Sequence, residues 1–216
     1  MKHTLLILFF IALIGELIGI HMDSMSRWIT KPLVVALILI YYVVISRMKQ
    51  PLMMLALVSA MLGDLFMLLP DGAGFTLGLF VFLIMHLILI SLFNKTRENA
   101  QSSQKLIIAG PTFIVGIGGA IYLVPQAGSL NIAVGLYTLA ITMMAVFAVL
   151  RVKKIPGYWM VVIGAILFML SDLLIGFTRF VAPVPMGEVA IMALYGIGLF
   201  LIVEGYVKGD DVLVQL

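Results

Sequence analysis

Apolar residues run along this chain in long, nearly unbroken stretches, and polar residues are confined to short breaks between them. Eight apolar segments can be drawn, at about 4–20, 31–46, 52–69, 75–93, 106–123, 131–150, 157–178 and 186–206. A helix of roughly 17–25 such residues crosses the hydrocarbon layer of a bilayer, so several of these sit at the short end of the spanning range. Turn chemistry separates them: Pro51, Pro70-Asp71-Gly72, Pro125-Gln126-Ala127-Gly128, Pro156-Gly157 and Pro183-Val184-Pro185. The longest polar break, residues 94–105, falls near the middle of the chain. The pattern predicts an all-α, polytopic membrane helix bundle of eight transmembrane helices, a single integral membrane domain over residues 1–216. The first segment follows Lys2 as a signal peptide would. Gly19-Ile20-His21-Met22-Asp23 is poor material for a cleavage site, so the segment is expected to stay as helix 1.

Composition agrees with that layout. The chain is 63% hydrophobic and 11% charged, with a mean hydropathy of +1.23, whereas a soluble domain carries about 25% charged residues. No stretch is left for a separate soluble domain. Zero cysteines exclude disulfides and thiolate metal sites, and only His3, His21 and His86 carry imidazole. The net charge of +3 lies in short loops, where it serves to orient a membrane protein rather than to bind nucleic acid. With the termini inside, the inner loops hold Lys2, Arg47, Lys49, Lys95, Arg97, Lys105, Arg151, Lys153, Lys154 and Lys208, and the outer side only Arg27, Lys31 and Arg179. This asymmetry predicts a multi-pass protein of the cell membrane with both termini cytoplasmic.

Against this apolar background two acids stand out. Asp64 lies in Leu62-Gly63-Asp64-Leu65 and Asp172 in Leu170-Ser171-Asp172-Leu173. A carboxylate near mid-membrane costs roughly 2.5–3.5 kcal/mol on insertion scales, so such groups face a protein interior and mark function. The two lie 108 positions apart, half of the 216-residue chain, which suggests two related halves of four helices. Four helices per half gives a parallel 4+4 repeat about an axis along the membrane normal. Both acids, with Glu16, Lys31, His86, Tyr137 and Tyr195, then fall in the outer half of the bundle.

The motifs form an ordered set. Thr30-Lys31-Pro32-Leu33 opens segment 2, and Ser59-Ala60-Met61-Leu62-Gly63-Asp64 sits in segment 3. Phe75, Gly78, Leu79, Phe82, Leu83 and His86 mark segment 4, and Tyr137 through Met144-Ala145 segment 6. Gly164-Ala165, Phe168 and Ser171-Asp172 continue to Arg179-Phe180. This set resembles the YhhN-like lysoplasmalogenase family of integral membrane proteins, over about residues 31–202. The last helix departs from the pattern: Tyr195 is followed by Gly196-Ile197-Gly198, where the family often has Ala-Gln. Any role of that glutamine is lost or moved.

The resemblance implies a membrane ether hydrolase of lipid metabolism, splitting the vinyl ether of a lysoplasmalogen into a fatty aldehyde and a glycerophospho-alcohol. It assigns catalysis to the aspartates matching Asp64 and Asp172. The chemistry suits two carboxylates. Protonation of the distal alkene carbon leaves an oxocarbenium ion, and water adds to it, so the site needs one protonated acid, one proton acceptor and nearby negative charge. Two carboxylates in one low-dielectric site ionise unequally and titrate as a pair, and the sequence leaves open which is the acid.

Lys31 and Arg179 are candidates for the phosphate of a lysophospholipid substrate, or else snorkel at the interface. Arg179 follows Asp172 by seven residues and shares its helical face. His86 orients an acid or is buried between helices. Tyr137 and Tyr195 donate to the acids, to substrate or merely between helices. Glu16, beside Gly15 and Gly19, joins the polar cluster or supports close packing. Glu204, Asp210 and Asp211 read as inner-surface solvation, and Trp28, Tyr158 and Trp159 as interfacial anchors. No metal and no cofactor are expected, and the oligomeric state stays open.

Three rivals compete. Zinc hydrolysis wants about three His or carboxylate ligands, and one intramembrane histidine serves it poorly. A serine hydrolase lacks Gly-x-Ser-x-Gly, and Ser171 lacks an adjacent His. A proton-coupled transporter of a small amphiphile would also use intramembrane acids at a repeat interface. Against it, the polar groups gather on one side, with Glu204 the sole inner candidate.

Overall fold

In a computed structural model, residues 1–22, 25–70, 72–97 and 103–213 are described. They form eight helices: α1 Lys2–His21, α2 Arg27–Ile45, α3 Pro51–Met67, α4 Gly72–Asn94, α5 Ser103–Leu123, α6 Asn131–Leu150, α7 Tyr158–Phe180 and α8 Gly187–Leu213. Two short 3₁₀ turns, Val124–Gln126 and Gly128–Leu130, join α5 to α6. Seven helices are long and apolar enough to span a bilayer, and α3 is a shorter apolar helix of 17 residues. An even number of passes returns the chain to its starting side. The 2.9 Å ion pair between Lys2 Nζ and Glu204 Oε1 ties the first helix to the last there. We call this the termini end and the other the far end.

The surface has the inverted polarity of a lipid-facing bundle. Ile107, Ile114 and Ile121 of α5 are 71%, 69% and 72% exposed, and their seven-residue spacing puts them on one stripe. Ile7, Ile11, Ile14 and Ile18 make a similar exposed stripe on α1. Meanwhile Glu16, Asp64, His86 and Asp172 are buried. In lipid, backbone groups are satisfied within each helix, so apolar side chains turn outward and polar ones inward. The chain is a multi-pass membrane protein.

Packing follows the half-chain offset. The pairs α1–α2, α2–α3 and α3–α4 recur four helices later as α5–α6, α6–α7 and α7–α8, and α4–α6 corresponds to α8–α2. The pairs α1–α8 and α5–α7 break the correspondence. The α7–α8 seam is the tightest. A Cβ on Gly198 would meet the Gly164 carbonyl oxygen at 2.8 Å and the Phe168 nitrogen at 3.0 Å, so only glycine lets these backbones touch. The Gly196-Ile197-Gly198 departure thus falls on a backbone contact.

Three readings need correction at the termini end and along its loops. Glu204 and Asp210 do not solvate a surface: both are buried. Tyr41 donates its hydroxyl to Glu204. Asp210 Oδ2 accepts from Ser46 Oγ at 2.8 Å and from the Arg47 nitrogen at 2.7 Å, capping the α2–α3 turn. Helix α8 runs past residue 206 to Leu213, which carries Asp210 back over that turn. The side chain of Asp211 lies outside the described residues. Tyr158 is buried too, and its hydroxyl donates to the Val149 carbonyl at 2.8 Å. Trp28 and Trp159 remain exposed.

Candidate active site

The helices bring a cavity of about 490 Å³ to the far end, lined from α1, α2, α3, α4, α7 and α8. Asp64, Asp172, Lys31, Arg179 and Tyr195 all line it, with apolar walls from Met67, Phe75, Phe82 and Ile175. Asp64 reaches it because its neighbour Gly63 has no side chain: a Cβ there would meet the Phe82 ring at 2.8 Å. Helices α3 and α4 therefore close around the acid.

Each aspartate is held by residues from two other helices. Asp64 Oδ2 accepts from the Tyr195 hydroxyl at 2.9 Å, and Lys31 Nζ lies 3.8 Å from Oδ1. Asp172 Oδ2 accepts from the Tyr137 hydroxyl at 2.5 Å, and His86 Nε2 lies 3.6 Å away. The helices supplying these partners, α2 and α8 for Asp64 and α6 and α4 for Asp172, are related by the same shift of four. The two sites are thus counterparts in scaffold but not in charge. Asp64 has an ammonium beside it; Asp172 has an imidazole that misses hydrogen-bond distance.

His86 is fully buried and lines no part of the cavity. Its ring meets Tyr137 and Phe168 edge-on, both with centroids at 5.3 Å, and Phe168 meets Tyr195 at 5.2 Å. This aromatic row, Tyr137–His86–Phe168–Tyr195, links the partners of the two acids behind the cavity. Tyr137 stands behind Asp172 rather than on the main cavity wall. Ser171 donates to the Ile191 carbonyl at 2.9 Å and fastens α7 to α8, which leaves it no nucleophile's geometry. Among the described residues no three His, Cys, Asp or Glu side chains gather as a metal site.

At the rim lies a residue that the sequence reading left outside the site. Arg27 lines the cavity, with Nε 3.3 Å from Glu16 Oε1 and a terminal nitrogen 3.1 Å from Glu188 Oε2. Thr30 donates to Glu16 Oε2 at 2.5 Å. Glu16 is thereby accounted for as the buried partner of α2. Segment 2 was expected to open at Lys31, but α2 begins at Arg27. Started one turn earlier, the helix shows Arg27 and Lys31 as an i, i+4 pair on one face. Arg179 is exposed, with its guanidinium stacked 4.9 Å over the Phe75 ring.

Fold and site together define a polytopic membrane helix bundle with two buried carboxylates on one basic-rimmed cavity. The family described as YhhN matches residues 26–206, and the chain belongs to it. It is 26% identical to lysoplasmalogenase TMEM86A of Bos taurus over 160 residues, covering 72% of this chain and 65% of that protein. It is 30% identical to the lysoplasmalogenase of Mycobacterium bovis over 161 residues, 73% of this chain and 60% of that protein. Lysoplasmalogenase TMEM86A of Homo sapiens is 28% identical over 163 residues, 72% of this chain and 65% of that protein. The chain thus spans less than two thirds of the length of these relatives. No solved structure matches it significantly.

Proposed function

We propose that this protein is a membrane hydrolase that cleaves the vinyl ether of a lysoplasmalogen to a fatty aldehyde and a glycerophospho-alcohol. The observation that carries this reading is the pair of acids on one cavity with unlike neighbours. An adjacent ammonium favours a carboxylate on Asp64, which leaves Asp172, with no Lys or Arg paired to it among the described residues, as the proton holder. Asp172 then protonates the distal alkene carbon, and the Asp64 carboxylate stabilises the oxocarbenium ion. Water adds at the carbon bonded to oxygen, and the hemiacetal collapses to aldehyde and alcohol.

The rim supports a phosphate-bearing substrate. Arg179 offers a cationic donor at the mouth, and the apolar walls suit an alkenyl chain. Relatives named lysoplasmalogenase, at 26–30% identity, support the same reaction class. The termini end carries most of the basic residues, so it is taken as cytoplasmic and the cavity as opening outward.

Purified protein given lysoplasmalogen in detergent should release aldehyde. If wild type, Asp64→Asn and Asp172→Asn all release none, the hydrolase reading fails. Proton-coupled uptake of an amphiphile into vesicles then becomes the reading to measure.

A further inference from the structure

Beside Asp172, adjoining the main cavity, lies a second void of about 20 Å³. Its polar lining consists of Asp172, Tyr137 and Thr138, and its remaining walls include Leu123, Val134 and Phe180. It shares Met67, Phe75, Asp172 and Ile175 with the main cavity, so the two adjoin and Asp172 borders both. About 10–15 Å³ of such volume holds one water, provided two to four polar groups surround it. This void passes both conditions and is too small for an alkyl chain.

Resting on the hydrolase reading, we propose that this side void is the site of the hydrolytic water, held by Asp172, Tyr137 and Thr138 at the edge of the lipid cavity. The hydrogen-bond inventory leaves room for it. Tyr137 donates to Asp172 Oδ2, and Thr138 donates to the Val134 carbonyl at 2.7 Å. Both hydroxyl oxygens keep acceptor capacity. Asp172 lines both the void and the main cavity, so a water in the void lies against its carboxyl group.

The sequence of steps balances on one carboxyl. Asp172 gives its proton to the distal alkene carbon as the π pair becomes a C–H bond, leaving a carboxylate and an oxocarbenium ion. The water oxygen forms the new C–O bond at the carbon bearing the ether oxygen, and its proton returns to Asp172. The neutral hemiacetal then breaks its bond to the glycerol oxygen, and its hydroxyl proton ends on that oxygen. The same group serves first as acid and then as base, as in two-step glycoside hydrolysis. A single water held beside the acid supplies the nucleophile from a fixed position rather than from the open mouth of the cavity.

Methanol as a competing nucleophile tests this. It would trap the oxocarbenium ion as a mixed methyl acetal, read by mass spectrometry. Wild type should form aldehyde and almost no acetal, and Leu123→Ala, which enlarges the void, should form acetal readily. Thr138→Val should lower kcat about tenfold with KM unchanged, the effect of one lost hydrogen bond. Acetal from wild type in proportion to the methanol present, or an unaltered kcat in Thr138→Val, would overturn the water site. If wild type releases no aldehyde at all, the hydrolase reading has failed separately. A high-resolution structure then decides: ordered water within hydrogen-bond distance of Asp172, Tyr137 and Thr138 supports the site, and a dry or lipid-filled void refutes it.

Discussion

Lys31 Nζ lies 3.8 Å from Asp64 Oδ1 across the α2–α3 seam, and no Lys or Arg pairs with Asp172 among the described residues. Lys31→Ala should therefore act on chemistry more than on binding. We expect kcat to fall about 10–100-fold with KM changed little, and Lys31→Arg to recover much of the loss. Steady-state kinetics on the three proteins checks this. A rise in KM at constant kcat would instead make Lys31 a phosphate ligand.

Either Asp→Asn change should cut kcat at least about a hundredfold while the helical circular dichroism stays intact. Because the acids act as a unit, the Asp64→Asn/Asp172→Asn double variant should be no worse than the poorer single variant. More than a few per cent of activity in one single variant would show that its acid is dispensable.

Arg179 stands at the exposed mouth, stacked on Phe75. Arg179→Ala should raise KM for a lysoplasmalogen about tenfold and leave kcat alone, as expected on losing one charge-assisted contact. An alkenyl glycerol without phosphate should show the same KM with both proteins. Equal KM shifts on the two substrates would remove Arg179 from phosphate recognition.

Glu16 is fully buried and its charge is met by Arg27, which is itself only partly exposed. Arg27→Ala should lower stability by about 2–4 kcal/mol, since it strands a buried carboxylate. Adding Glu16→Gln should restore part of that loss. Thermal unfolding in one detergent compares the three; no difference between the single and double variants would mean that the pair is not coupled.

Gly198 touches the α7 backbone beside Phe168, one turn from Tyr195 on α8 and one turn from Asp172 on α7. Gly198→Ala should cost about 1–3 kcal/mol by overpacking a contact that has no side chain able to yield. It should also lower kcat by prying apart the helices that present the two acids. A fully active, equally stable variant would show that the seam has slack.

Much of this protein was legible in its sequence, for a physical reason. In a bilayer the backbone must satisfy itself, so an apolar run of spanning length becomes a helix whatever its neighbours do. The helices, their order, and the costly acids at Asp64 and Asp172 follow from that rule alone. The 108-residue offset of the two acids suggested related halves, and the helix pairs follow that offset except at α1–α8 and α5–α7. Boundaries were harder: Arg27 lay just beyond an apolar run, and only the fold shows it one helical turn from Lys31, reaching Glu16. Glu204, Asp210 and Tyr158 sat at segment ends where hydropathy cannot separate a solvated side chain from one tucked under a neighbouring helix.

What the linear chain determined by itself was membership of a lipid-embedded bundle and the residue types that chemistry would need. Only the tertiary structure decided who faces whom, because helix rotation and contact depend on packing partners far apart in sequence. It set a lysine beside one aspartate and a histidine beside the other, placed His86 behind the cavity rather than on it, and left a void of about 20 Å³ between Asp172, Tyr137 and Thr138.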